Sequence, residues 1–169
     1  MSAAERVSAT RTIAASPAAV WAVVADPRGH VAIDGSGMLM SAPDSEPLRA
    51  VGQQFLISMD REALGDLPLG RYTVVNTVTK LEPEAVLEWS VAGVSFPAIG
   101  HVYGYLLEPA DDGTTVVTSY CDWSAVQEKW RSRVTWPVVP QTALRSSLGI
   151  LDRLVAQAGS DGNALSPLP

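Results

Sequence analysis

The 169-residue chain is short of sulfur and imidazole: it has one cysteine, Cys121, and two histidines, His30 and His101. A single thiol excludes an internal disulfide, and no Cys/His group has zinc-ligand spacing, so no metal is expected and a reducing compartment fits best. Long apolar runs are missing too. No stretch approaches the roughly 18 residues that cross a bilayer, and "MSAAERVSATRTIAAS" has no basic segment followed by an apolar one. The expectation is a cytoplasmic protein without stable membrane insertion. Positive charge is scarce: 12 Lys and Arg against 18 Asp and Glu leave a net charge of -6, which works against binding to nucleic-acid backbones or anionic lipid. The acidic residues form no run, so solubility is their plain role. "GDLPLG" is no phosphate loop, and "GSG" at 35–37 lacks the Gly-x-Ser-x-Gly pattern of a nucleophile elbow, so no cofactor is expected and Ser36 has no catalytic case.

What is present is apolar substance, with 47% hydrophobic and 18% charged residues. That composition folds, and the length fits one domain, expected over 1–159 with a flexible tail over 160–169. "RVSATRTIAA" alternates as a strand, with Val7, Ala9, Arg11 and Ile13 on one face. Ser16 before Pro17 starts a short helix that Asp26-Pro27 breaks, and "HVAID" forms another helical turn ended by Gly35. "GMLMSAP" and "VGQQFLISMD" read as strands around a proline-bearing loop. The clearest alternation is "RYTVVNTVTKL", with Tyr72, Val74, Asn76 and Val78 on one face. "AVLEWSVAG" follows as its antiparallel partner, placing Leu87, Trp89 and Val91 opposite Glu88. "HVYGYLLEP" and "TTVVTSYCDWS" flank the turn "ADDG" and make a hairpin. Finally Leu144, Leu148, Leu151 and Val155 form one stripe of a long helix that Gly159 is placed to stop.

These elements describe an α+β fold in which a curved antiparallel sheet buries its apolar face against a single C-terminal helix too narrow to cover it. Such a pair can enclose a cavity for an apolar ligand. The runs "IAASPAAVWAVVADPRGH" from Ile13, "YGYLLEPADDGTTV" from Tyr103 and "LRSSLGILDRL" from Leu144 resemble the START/Bet v 1-like (SRPBCC) superfamily, in particular its bacterial polyketide cyclase/dehydrase-like members. The resemblance implies a helix-grip fold with two short helices after the first strand. It also implies a cavity ligand such as a lipid, polyketide or aromatic metabolite, or, in a few relatives, cyclase chemistry. Relatives commonly carry Trp where this chain has Ile33, which implies different packing at the cavity mouth.

Tyr72, Asn76, Trp89, His101, Tyr103, Tyr105, Trp136, Leu144, Leu148 and Leu151 are the expected ligand-binding residues. His101, Tyr103, Tyr105 and Leu107 share a strand face, so imidazole and phenol groups can bond a ligand oxygen there, and His101 or Tyr103 is the candidate acid/base for cyclisation or dehydration. The alternative is rings packed in core with polar tips at the rim. A buried Asn76 amide needs a partner, whether ligand, water or a neighbouring side chain. His30 and Asp34 are spaced for a general-base pair; the plainer alternative has Asp26, His30 and Asp34 bonding backbone around a short helix. Cys121, without nearby positive charge, reads as a buried structural thiol. Trp123, Trp130 and Trp136, interleaved with Lys129, Arg131 and Arg133, read as a lid over the cavity in preference to a nucleic-acid or membrane-touching segment. Three functions follow in order: binding of a hydrophobic small molecule, a polyketide cyclase or dehydratase, and an interaction or toxin-antitoxin-type regulatory protein with a filled core. Oligomeric state is left open.

Overall fold

The structure is a computed structural model and describes residues 4–62, 65 and 68–161. Strand β1 (Arg6–Ile13) is followed by helices α1 (Pro17–Val24) and α2 (Pro27–Ala32), then strands β2 (Leu39–Ser41), β3 (Gln54–Asp60), β4 (Arg71–Glu82), β5 (Val86–Gly93), β6 (Val102–Pro109) and β7 (Thr115–Asp122). A short helix α3 (Glu128–Arg131) and the long α4 (Gln141–Asp161) complete it. The strands form one antiparallel sheet in the order β1-β7-β6-β5-β4-β3-β2, a curled half-barrel around α4.

Local chemistry sets the helix starts. Ser16 Oγ accepts from the Ala19 amide at 3.3 Å, and Pro17 fills the first position of α1, where its missing N–H costs nothing. The same device recurs ten residues on: Asp26 Oδ1 accepts from the Arg28 amide at 2.9 Å with Pro27 at the start of α2. The sequence expectation is corrected here. Asp26-Pro27 does end the first helix, but it also starts the second, which closes at Ala32 instead of running on through "HVAID". At the far end α4 continues past Gly159 to Asp161. A Cβ on Gly159 would meet nothing within 4 Å, so no packing constraint forces a stop there. The rest of the expected tail, 162–169, lies outside the described residues.

Period-two patterning places the core. Ile13 of β1, Val117 of β7 and Leu107 of β6 meet Leu144, Leu148, Leu151 and Val155 of α4, with Val20 and Val24 of α1 closing one side. Burying a leucine in such a cluster stabilises by about 1.5–3 kcal/mol. Arg11, on the α4-facing side of β1 but at its edge, pairs with Asp152 at 2.7 Å and so ties strand to helix. A second cluster, around Phe55, Ile57, Val74, Val78 and Leu87, sits on β3, β4 and β5. α4 contacts β1 and β7 most, which leaves the β3–β6 part of the concave face to other cover.

Candidate functional site

Between that concave face, α2, the start of α4 and the loop before it lies a cavity of about 600 Å³, within the range of small-molecule sites. Strand alternation aims Tyr72 and Asn76 of β4, Trp89 of β5, and Tyr103 and Tyr105 of β6 into it; His101, just before β6, joins them, and Leu144 is the α4 contribution from the expected stripe. Leu148 and Leu151 do not line it. They are 1% and 0% exposed, locked in the main core where α4 meets β1 and α1, so the expectation for them is corrected. Trp136 is corrected as well. It packs behind the wall, edge-on to His101 at 5.3 Å and stacked on Trp123 at 5.8 Å, while its neighbours Thr135 and Pro137 reach the cavity. The segment expected as a lid therefore lines the cavity with Arg133, Val134, Thr135, Pro137, Val138 and Val139, and not with its tryptophans. Ile33 is 1% exposed in the core, at the cavity wall and not at its mouth. Exposed Leu69 and Phe96 mark the mouth.

One wall is aromatic. His30 lies 4.7 Å from Trp89, Trp89 stacks on Tyr103 at 6.2 Å, and His101 meets Tyr103 edge-on at 5.7 Å. The polar side chains that line it include Asp34, Arg61 and Arg133 as well as Asn76, the histidines and the tyrosines. Asn76 is 3% exposed, makes no side-chain hydrogen bond to another described residue, and reaches the cavity surface. His101 Nδ1 is buried without a partner, and burial pushes the imidazole down to about 4. Burial, and then the Cys121 thiol beside it, holds the Tyr103 hydroxyl well above its ordinary 10. Burial likewise raises Tyr105 to about 12, against a hydrogen bond to Ser119 that lowers it. Cys121, pushed up to about 12 by burial, is an inert thiol.

His30 and Asp34 do not act as a pair. Asp34 accepts from the Ser36 amide at 2.9 Å and the Leu39 amide at 2.8 Å, bracing the turn into β2. Gly35 between them donates to Ser147 Oγ at 2.8 Å, and a Cβ there would stand 2.5 Å from Ala143 O. The Asp-Gly-Ser stretch is thus a clamp on α4, and only glycine fits it. Sequence reasoning missed much of the lining, and three of the missed residues show why. His30 was hidden because the start of α2 was misplaced. Arg61, 6% exposed, extends the alternation Phe55, Ile57, Met59, Arg61 one step past β3, a signal that was readable. Phe96 comes from an irregular loop with no period to follow.

A family model described as "Polyketide cyclase / dehydrase and lipid transport" matches residues 4–159. Among curated proteins, the uncharacterized protein Rv0088 of Mycobacterium tuberculosis is 33% identical over 120 residues, covering 71% of this chain and 48% of that protein. The chain thus spans about half the length of the curated relatives it matches. Among solved structures, protein Ms6760 of Mycobacterium smegmatis superposes with a TM-score of 0.64 at 19% identity, covering 91% of this chain and 92% of that one. A norcoclaurine synthase of Thalictrum flavum, in complex with a transition-state analogue, superposes with a TM-score of 0.60 at 14% identity, covering 92% and 96%. At such identities the likeness is one of fold.

Proposed function

The chain belongs to the polyketide cyclase/dehydrase and lipid transport family, of Bet v 1-like fold, and from that membership we propose that it binds a hydrophobic small molecule, a lipid, polyketide or aromatic metabolite, inside the cavity. The observation that carries the proposal is the Asn76 amide, buried at the surface of an about 600 Å³ cavity with no protein partner among the described residues. An amide in that position stabilises the fold only when something in the cavity bonds to it. Affinity comes from apolar burial, at about 25 cal/mol per Å² before association costs, and orientation from Asn76 and the ring heteroatoms.

Binding is preferred to acid/base turnover because the catalytic candidates titrate far from neutrality. An imidazole near 4 is a weak base, and a phenol held above 10 is a weak acid. A continuous cavity also weighs against a regulatory protein with a filled core. The test is native mass spectrometry of the purified protein, together with uptake of an anilinonaphthalenesulfonate dye. A co-purified adduct, or dye uptake that Val91→Trp abolishes by filling the cavity, is expected. Bare protein whose dye uptake is unaffected by Val91→Trp overturns the proposal.

A further inference from the structure

His30 lines the cavity, and its ring is held on several sides. Trp89 lies over it at 4.7 Å, Phe55 meets it edge-on at 5.5 Å and Tyr105 stands at 6.2 Å. Its Nε2 is 2.6 Å from the Val24 carbonyl oxygen. A carbonyl has no proton to give, so Nε2 is the N–H and donates, which leaves Nδ1 as a bare lone pair. Burial pushes the ring down to about 4, so this tautomer stays neutral at physiological pH. Nδ1 bonds to no other described residue, and it is not among the polar atoms sealed from every surface. It therefore keeps accessible surface, as a fixed acceptor on a ring that lines the cavity.

A fixed acceptor selects ligands by what they donate. An ether, ester or ketone brings a second lone pair to Nδ1, whereas a hydroxyl brings a proton. The wall that carries Nδ1 continues along Trp89 to Tyr103, a run of ring faces suited to a flat ligand. We propose that His30 is the specificity residue of the cavity, accepting a hydrogen bond at Nδ1 from the hydroxyl of a phenolic, planar aromatic ligand whose rings lie along Trp89 and Tyr103. The inference rests on the binding function proposed above and narrows its ligand class. Of the two roles its sequence spacing offered, the general-base pair fails because Asp34 is engaged elsewhere, and the bond to backbone is met by Nε2 on Val24.

Naphthol and its methyl ether share one ring system and differ in the proton, and binding of each is followed by tryptophan fluorescence or calorimetry. Naphthol is expected to bind about tenfold more tightly than the ether, the upper part of what one net hydrogen bond contributes. In His30→Phe the two should bind alike. Because that substitution also removes the bond to Val24, nitrogen NMR of isotopically labelled histidine in the unmodified protein supplies an independent readout: the His30 Nδ1 resonance moves with naphthol and not with the ether. Equal affinities with an unmoved Nδ1 overturn the role of His30 while leaving the binding function intact. Failure of both compounds to bind overturns it too, and if the anilinonaphthalenesulfonate dye also fails to enter, the binding function falls with it.

Discussion

Tyr120 on β7 lies across Gly104 on β6, so close that a Cβ on residue 104 would stand 2.4 Å from the ring carbon Cζ. The register aligns Glu88, Gly104 and Tyr120 on three neighbouring strands. With no side chain between them, the Tyr120 hydroxyl donates to Glu88 Oε2 at 2.7 Å, on the face of the sheet away from the cavity. Gly104→Ala should cost about 1–3 kcal/mol, the usual range for overpacking a filled site. Urea unfolding measures it. Dye uptake by the cavity should be unchanged, because alternation puts residue 104 on the other face.

Tyr120→Phe tests the same cluster electrostatically. Burial pushes the Glu88 carboxyl up, but hydrogen bonds from Tyr120, Lys80 and Thr79 together hold it below its ordinary 4.5. A carboxylate with a depressed folded value stabilises the fold above about pH 4.5, and that contribution is lost as pH falls. Removing the Tyr120 hydroxyl should raise the Glu88 value, move the acid-unfolding limb to higher pH, and cost about 1–2 kcal/mol at neutrality. An unchanged acid limb would show that Lys80 and Thr79 suffice.

The histidines act at milder acidity. Burial lowers both His30 and His101 from 6.5 to about 4. Between those values the unfolded chain holds more protons than the folded one, so stability is complete above pH 6.5 and declines as pH drops toward 4. The slope contributed by each histidine approaches about 1.4 kcal/mol per pH unit in mid-window. Asp26, held below its ordinary 3.8 chiefly by a hydrogen bond from Arg28, acts only at lower pH. Denaturant midpoints compared at pH 7 and pH 5 should differ, and His101→Asn should shrink the difference. Equal midpoints would contradict burial of the neutral rings.

The strands were readable because each has one apolar face, and period two then assigns Tyr72, Asn76, Trp89, Tyr103 and Tyr105 to the concave side without any knowledge of contacts. α4 was readable as an amphipathic stripe, but its use was not. Period 3.6 says that Leu144, Leu148 and Leu151 face inward; it does not say that only the first turns overhang empty space while the rest meet β1 and α1. The position of His30 was lost for a different reason. Asp26-Pro27 is both a stop and a cap, and reading only the stop displaced α2 toward "HVAID". Trp136 was assigned to the cavity on composition, where no periodicity operates, and its stacking on Trp123 depends on a loop path that sequence does not encode locally. Gly35 and Gly104 were legible as glycines but not as contacts, since both are fixed by residues far along the chain.

Tyr103 separates packing from recognition. Its ring borders the cavity and stacks with Trp89, and its hydroxyl lies beside the Cys121 thiol, so it belongs to the wall more than to the filled core. Truncation next to existing space creates less new void than truncation in a packed interior, where an aromatic-to-alanine change costs about 3–5 kcal/mol. Tyr103→Leu should therefore cost about 1–2 kcal/mol of stability, while shifting the ranking of a panel of aromatic and aliphatic ligands toward the aliphatic ones, because one ring of the stacking wall is gone. Thermal unfolding and the ligand panel, run on the same preparation, read the two effects separately. A variant that unfolds at room temperature, or one that folds with its ligand ranking unaltered, would return Tyr103 to the core and leave recognition on that wall to its other rings, Trp89, His30, Tyr105 and His101.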